Sequence, residues 1–168
     1  MKERVMPKTT LTKIEFYRAL SVASKRACDV FTNNRKDNKK TPDKYWVENH
    51  LLGTLCEAAY AKLMGIKFDP DTKIGSRDFP NAEIRGTKYS NGKLLMDIDN
   101  DLDDTPYFLM VHLYDHTYGL AGGMMGRQAK DMKYWDETLP RPSIAVPQNK
   151  LDIFPVIPMK FNPLDDFL

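Results

Sequence analysis

The run Tyr107-Phe108-Leu109-Met110-Val111 constrains the fold more than any other stretch of the chain. Successive residues of a strand point to opposite faces, so five apolar, β-favouring residues in a row need cover on both sides. The pattern predicts a central strand over 106–113, with material layered above and below it. Upstream, Phe16, Leu20, Ala23, Ala27 and Val30 recur at steps of four and three within 10–32, one apolar stripe of a helix. Lys13, Arg18, Lys25 and Arg26 are read as lying mostly off it.

The polar, basic stretch 33–40 reads as a linker. Thr41-Pro42-Asp43 then opens a second helix with a cap residue, a first-turn proline and an acid at the positive dipole end. Leu52, Leu55, Ala59 and Leu63 are its expected buried stripe, and Gly65 its stop. After a turn-rich stretch at 69–78, strands are expected over 82–87 and 93–99. Asn91-Gly92 between them predicts an antiparallel hairpin. A glycine-rich strand near 118–125 and a helix over 126–135 follow. The last 29 residues carry six of the eleven prolines, so the tail should be extended and draped over the body.

The fold class is therefore α/β, and 168 residues suit a single domain. Its parts are a basic N-terminal helix and linker (1–40), an α/β core (41–138) and a Pro-rich C-terminal tail (139–168). No run approaches the 18 or so apolar residues a membrane helix needs, and Met1-Lys2-Glu3-Arg4 has no apolar stretch behind it, as a secretory signal would. Cys28 and Cys56 sit in helical apolar patterns and are read as reduced and buried, in a cytoplasmic protein.

Net charge is +2, but it is unevenly placed. Residues 1–44 hold 12 Lys/Arg against 5 Asp/Glu, while the rest hold 13 against 18. A basic end on an acidic body suits a polyanion-facing surface, or simply a solvated helix face and a lysine-rich linker.

Three acids stand out as candidates for chemistry. Glu57 lies within the second helix, Asp78 just before a strand, and Glu83 within that strand with Arg85 and Thr87 on the same face. A turn bringing Asp78 beside Glu83 would pair two carboxylates with a basic side chain one step along. Oxygen ligands of this kind suit a hard divalent metal. Each residue also has an ordinary role open to it: a solvated helix acid, a turn residue, a strand-face ion pair. Asp97, Asp99, Asp101, Asp103 and Asp104 lack the glycine and glutamate of a calcium loop and read as an exposed acidic turn. His112, Asp115 and His116 lack a third firm zinc ligand. Gly119, Gly122 and Gly123 read as close-packing positions rather than a phosphate loop. The terminal Pro163-Leu-Asp-Asp-Phe-Leu168 reads as a turn packing Phe167 on the body.

The Gly53-x-x-x-Glu57 helix followed by Asp78, four residues and Glu83-Ile84-Arg85 resembles the PD-(D/E)xK nuclease superfamily. The segments Glu83-Ile-Arg-Gly-Thr, Asp99 to Asp104 before Pro106-Tyr-Phe-Leu-Met-Val, Gly126-Arg-Gln-Ala-Lys130 and Arg141-Pro…Val146-Pro-Gln148 are similar to small bacteriophage-encoded members of it. The resemblance covers roughly 50–150. It implies a restriction-endonuclease-like mixed β-sheet flanked by helices, with the long N-terminal helix added. It also implies Mg²⁺ (or Mn²⁺) held by Asp78 and Glu83, with Glu57 as an outer or second-metal acid, for hydrolysis of DNA rather than RNA.

Arg85 stands where the family has lysine. Arginine cannot act as a base but can neutralise charge on a transferring phosphate. Lys88, turned inward by a bulge at Gly86, is the expected substitute, with Gln128 and Lys130 as further candidates. Lys25, Arg26, Arg35, Lys36, Lys39, Lys40, Arg127 and Lys130 are the expected grips on the nucleic-acid backbone. A homodimer would fit family members of this size. Two alternatives stand beside this reading. One is a catalytically inactive nuclease-fold protein that binds nucleic acid or a host protein. The other is a phage structural or host-takeover protein using the acidic loop and tail as its interface.

Overall fold

The computed structural model describes residues 5–32, 43–68 and 78–152. Arg35, Lys36, Lys39 and Lys40 of the linker, the Thr41-Pro42 helix start, the turn-rich stretch to 77, the Val30 side chain and the tail beyond 152 with Phe167 lie outside them.

Pro106–Tyr114 (β4) is the strand around which the rest is layered. Its residues 107–111 are all buried, as their continuous apolarity requires. On one edge it pairs antiparallel with Thr117–Met125 (β5), and on the other it runs parallel to Glu83–Thr87 (β2). Lys8–Thr10 (β1) adds to β5, giving a mixed four-stranded sheet in the order β1-β5-β4-β2. Two helices cover one face: Lys13–Thr32 (α1) and Asp43–Met64 (α2). A second sheet, Leu94–Met96 (β3), Ser143–Val146 (β7) and Trp135–Asp136 (β6), covers the other.

Alternate residues of β4 serve the two layers. Phe108 and Met110 pack with Leu55, Cys56, Ala59 and Tyr60 of α2, while Tyr107, Leu109 and Val111 pack with Leu94, Met96, Ile144 and Val146. No helix among the described residues is long and apolar enough to cross a membrane.

Local chemistry explains most boundaries. Thr12 and Glu15 cap α1 reciprocally: the Thr12 N–H donates to Glu15 Oε2 at 2.7 Å and the Glu15 N–H to Thr12 Oγ1 at 3.3 Å. Gly65 ends α2 at φ +68°, with the Ile66 N–H donating to the Ala61 carbonyl and the Gly65 N–H to that of Lys62.

Several expectations need correction. The hairpin does not form. The turn at Asn91-Gly92 is present, with the Gly92 N–H on the Tyr89 carbonyl, but β2 turns to β4 and β3 crosses to β7. A tight turn fixes a local reversal. It does not choose partners when β4 needs a neighbour on each edge and Leu94 and Met96 need burial. β1 has no apolar alternation, and its three polar residues form a strand because β5 offers an edge. Helix α2 has no single stripe: residues 54–61 are all buried, because the helix lies between α1 and the sheet. The expected helix over 126–135 is only Gly126–Ala129 (α3), a 3-10 turn at Met132–Tyr134 and β6, since the Asp131 side chain caps the Lys133 N–H and restarts the backbone. Cys28 is exposed, while Cys56 is buried and its thiol is pushed up to about 12 by burial and by the neighbouring Glu57. The glycines of β5 do serve packing: a Cβ on Gly123 would lie 2.5 Å from the Phe108 ring.

Candidate active site

The site is built at the open edge of β2. Phe79 and Ala82 form an antiparallel bridge, so the chain turns at Pro80-Asn81 and folds Asp78 back along Glu83 and Ile84. Asp78 Oδ2 accepts the Ile84 N–H at 2.7 Å, filling a donor that the sheet edge leaves open. The two carboxyls feel each other: the Asp78 charge raises the Glu83 pKa. The turn expected to bring the two acids together is present.

Alternation along β2 places Ile84 and Gly86 against α2 and leaves Glu83, Arg85 and Thr87 half-buried on the far face. Gly86 lets the helix approach, because a Cβ there would sit 2.7 Å from Cys56 Sγ. That approach brings Glu57, the next residue of α2, close enough to feel both Asp78 and Glu83. Glu57 itself is held from α1. Arg26 Nη1 lies 2.9 and 3.0 Å from its two oxygens and 3.3 Å from Thr54 Oγ1.

Arg85 is the cation on the far face. Its Nη1 is 3.6 Å from Glu83 Oε2, its Nη2 donates to Asp101 Oδ1 at 2.8 Å, and its guanidinium lies 5.1 Å from the centre of the Tyr107 ring. Four carboxyls (Glu57, Asp78, Glu83, Asp101) therefore face two guanidiniums (Arg26, Arg85). The electrostatic result is three reluctant acids, Glu57, Asp78 and Glu83. Burial, then the Asp78 charge, lifts Glu57 to about 7 against the pull of Arg26. Burial and the Asp78 charge lift Glu83 to about 7 against Arg85. Asp78 is raised by burial, with the Ile84 N–H and Arg85 holding it back.

Among the described residues no group of three or more His, Cys, Asp or Glu is arranged to hold a metal ion. Both oxygens of Glu57 are engaged by Arg26, which leaves Asp78 and Glu83 as the available pair. Two carboxylates suffice for Mg²⁺, which keeps several of its waters. The donor set therefore fits that ion with Glu57 outside the ligand set.

Other expected residues fall elsewhere. Pairing of β2 with β4 runs through Gly86 without a register shift, so no bulge turns Lys88 inward; it is exposed, its ammonium beside Tyr89. Gln128 lines a shallow surface depression with Asp131, Lys133 and Lys150. Lys130 is spent on the Asp101 carbonyl and on Asp103 at 2.9 Å, so it is not a free grip for nucleic acid. Arg26 is buried against Glu57 and is not one either. Lys25 is exposed, and Arg127 is exposed near Asp104 at 3.8 Å. His112 meets the Asp115 carbonyl and His116 stacks on Phe16, so neither is arranged as a zinc ligand.

Sequence reasoning missed two residues. Arg26 sits seven residues after Ala19, four after Val22 and three after Ala23, all buried, so its place on the inner face of α1 is legible from helical spacing. Asp101 carries no comparable signal within its acidic run. The turn is exposed at Asp99, Asp103 and Asp104, as expected, but it is also tied down: Asp97 accepts from Arg141 at 2.7 Å, and Tyr107 Oη accepts the Leu102 N–H at 2.8 Å.

No family model, curated protein or solved structure matches the chain.

Proposed function

We propose that the protein is a PD-(D/E)xK-like hydrolase of DNA phosphodiester bonds that uses Mg²⁺ or Mn²⁺ at Asp78 and Glu83. The observation that carries this reading is the 78–83 turn, which brings two interacting carboxyls and the Arg85 guanidinium to one edge of a mixed sheet. The order of helix, turn and strand agrees with a restriction-endonuclease-like core, and the excess of carboxyls over guanidiniums favours a divalent cation. A metal bound there supplies polarisation of a phosphoryl oxygen and a more acidic water. Arg85 can balance charge on the phosphate but cannot take a proton. Glu57 stands behind the pair, held at both oxygens by Arg26, and adds negative charge to the site rather than a ligand.

A second reading is favoured by one observation. Among the described residues no lysine is directed into the site: Lys88 is exposed and Lys130 is bound to the acidic loop. A catalytically silent protein of this type would bind nucleic acid, or a host or phage protein, through the same surface.

The test is cleavage of linear, circular, single-stranded and branched DNA, and of RNA, with Mg²⁺ or Mn²⁺. Cleavage by the wild type and none by Asp78→Ala/Glu83→Ala is expected. A folded wild type that cleaves no substrate with either metal would move the protein to the second reading.

A further inference from the structure

Asp101 is fixed at every polar group it has. Its N–H donates to the Asp97 carbonyl at 3.1 Å, its Oδ2 accepts the Asp97 N–H at 2.8 Å, and its carbonyl accepts from Lys130 Nζ. Its remaining oxygen, Oδ1, takes Arg85 Nη2 at 2.8 Å, and the side chain is only 13% exposed. The loop around it is anchored independently of Arg85. Arg141 holds Asp97, the Tyr107 hydroxyl holds the Leu102 N–H, and the start of α3 donates to the Thr105 and Asp103 carbonyls. Gly126 permits that last contact, since a Cβ there would lie 1.9 Å from the Leu102 carbonyl oxygen.

A loop so heavily fixed presents one carboxylate oxygen at a set place. Arg85 needs such a support. It stands on a strand at the sheet edge, its side chain is about one-third exposed, and its contact with Glu83 is loose at 3.6 Å. The Asp101 contact from one end and the Tyr107 ring together restrict the plane of the guanidinium.

We propose that Asp101 is a positioning residue for Arg85. It clamps Nη2 so that Nη1 is held toward Glu83, where a phosphate oxygen beside the carboxylate pair would be met. The catalytic consequence rests on the nuclease reading, but the clamp itself does not. An alternative use of the loop as a mere acidic shield would require no such contact with Arg85.

The experiment is ¹⁵N NMR of the arginine Nη groups at low temperature, on the full chain and on Asp101→Asn, with metal-dependent cleavage followed in parallel. The variant amide is near-isosteric and keeps an oxygen for the Asp97 N–H, so folding should persist. Arg85→Lys assigns the Arg85 signals. Restricted, separate Arg85 Nη signals are expected in the wild type and averaged ones in Asp101→Asn. In cleavage, kcat should fall about 10- to 100-fold while KM stays within about threefold, as displacement of a transition-state contact predicts. Asp101→Glu should restore part of the restriction. Averaged Arg85 signals already in the wild type, or unchanged signals in Asp101→Asn, would overturn the clamp. Lost restriction with wild-type turnover would overturn its catalytic role. A wild type that cleaves nothing removes the nuclease reading, and the NMR result then decides the clamp alone.

Discussion

Arg26 of α1 reaches across the helix interface and places one nitrogen, Nη1, between the two carboxylate oxygens of Glu57 on α2, at 2.9 and 3.0 Å. Both side chains are largely buried, and Arg26 Nε finds no hydrogen-bond partner among the described residues. A buried pair of this kind is costly to break from one side where both groups are charged, which for Glu57 means above about 7. At pH 8 Arg26→Met should therefore destabilise by up to about 3 kcal/mol, and by less at pH 6, where Glu57 can keep a proton instead of an unpaired charge. Arg26→Met combined with Glu57→Leu should recover much of that loss. Urea denaturation of the four proteins in the cycle measures it, and equal losses in the single and double variants would contradict a mutual pair.

The raised acids make stability depend on pH in a direction that can be worked out. Glu57 and Glu83 hold protons to about 7 in the folded chain but ionise near 4.5 when unfolded, and Asp78 is raised as well. Between those values the unfolded state binds fewer protons, so the stability these acids contribute is fully present below about 4.5 and is lost as pH rises through 7. The loss should be on the order of a few kcal/mol without metal. Mg²⁺ should raise the melting temperature at pH 8 and much less at pH 5. Thermal melts at both values check this; a stability that rises from pH 5 to pH 8 without metal would contradict it.

Gly86 sets how closely α2 can lie on β2, and so how near Glu57 comes to the other acids. An alanine there meets Cys56 Sγ at 2.7 Å and Leu52 Cγ at 3.4 Å. Gly86→Ala should destabilise by about 1 to 3 kcal/mol through overpacking. Cys56→Ala added to it should give back part of that loss, an effect visible in chemical denaturation. Strict additivity of the two changes would show that the helix does not rest on this contact.

Asp78 has two separable jobs, accepting the Ile84 N–H and carrying charge. Asp78→Asn keeps an acceptor for the first and removes the second. It should be as stable as the wild type or up to about 1 kcal/mol more stable at pH 8, since burial disfavours the charge it removes and that charge opposes ionisation of Glu57 and Glu83. Asp78→Ala loses the acceptor as well and should be the less stable of the two. Denaturation curves at pH 8 distinguish them, and an Asn variant that unfolds more readily than the Ala variant would contradict this division.

What the sequence made legible follows physical range. The β4 strand announces itself because five adjacent apolar residues admit few other arrangements, and Gly65 because only a short list of residues ends a helix at positive φ. The pairing of Asp78 with Glu83 was readable because it closes within six residues. Partners distant in the chain were not. β2 could not be assigned to β4 from its own five residues, and β1 has no pattern until β5 lies beside it. Asp101 looks like its neighbouring aspartates in sequence and differs only in what it touches. Arg26 was the avoidable miss, since its charge concealed a position that helical spacing puts on the buried face.

Calorimetric titration of the metal-free protein with Mn²⁺ at pH 7.5, beside Asp78→Asn/Glu83→Gln, addresses the metal site without depending on knowledge of the substrate. A single saturable site in the wild type, absent or weakened at least tenfold in the double variant, is the expected result. No binding to a folded wild type, or equal binding by the variant, would contradict a metal held by Asp78 and Glu83.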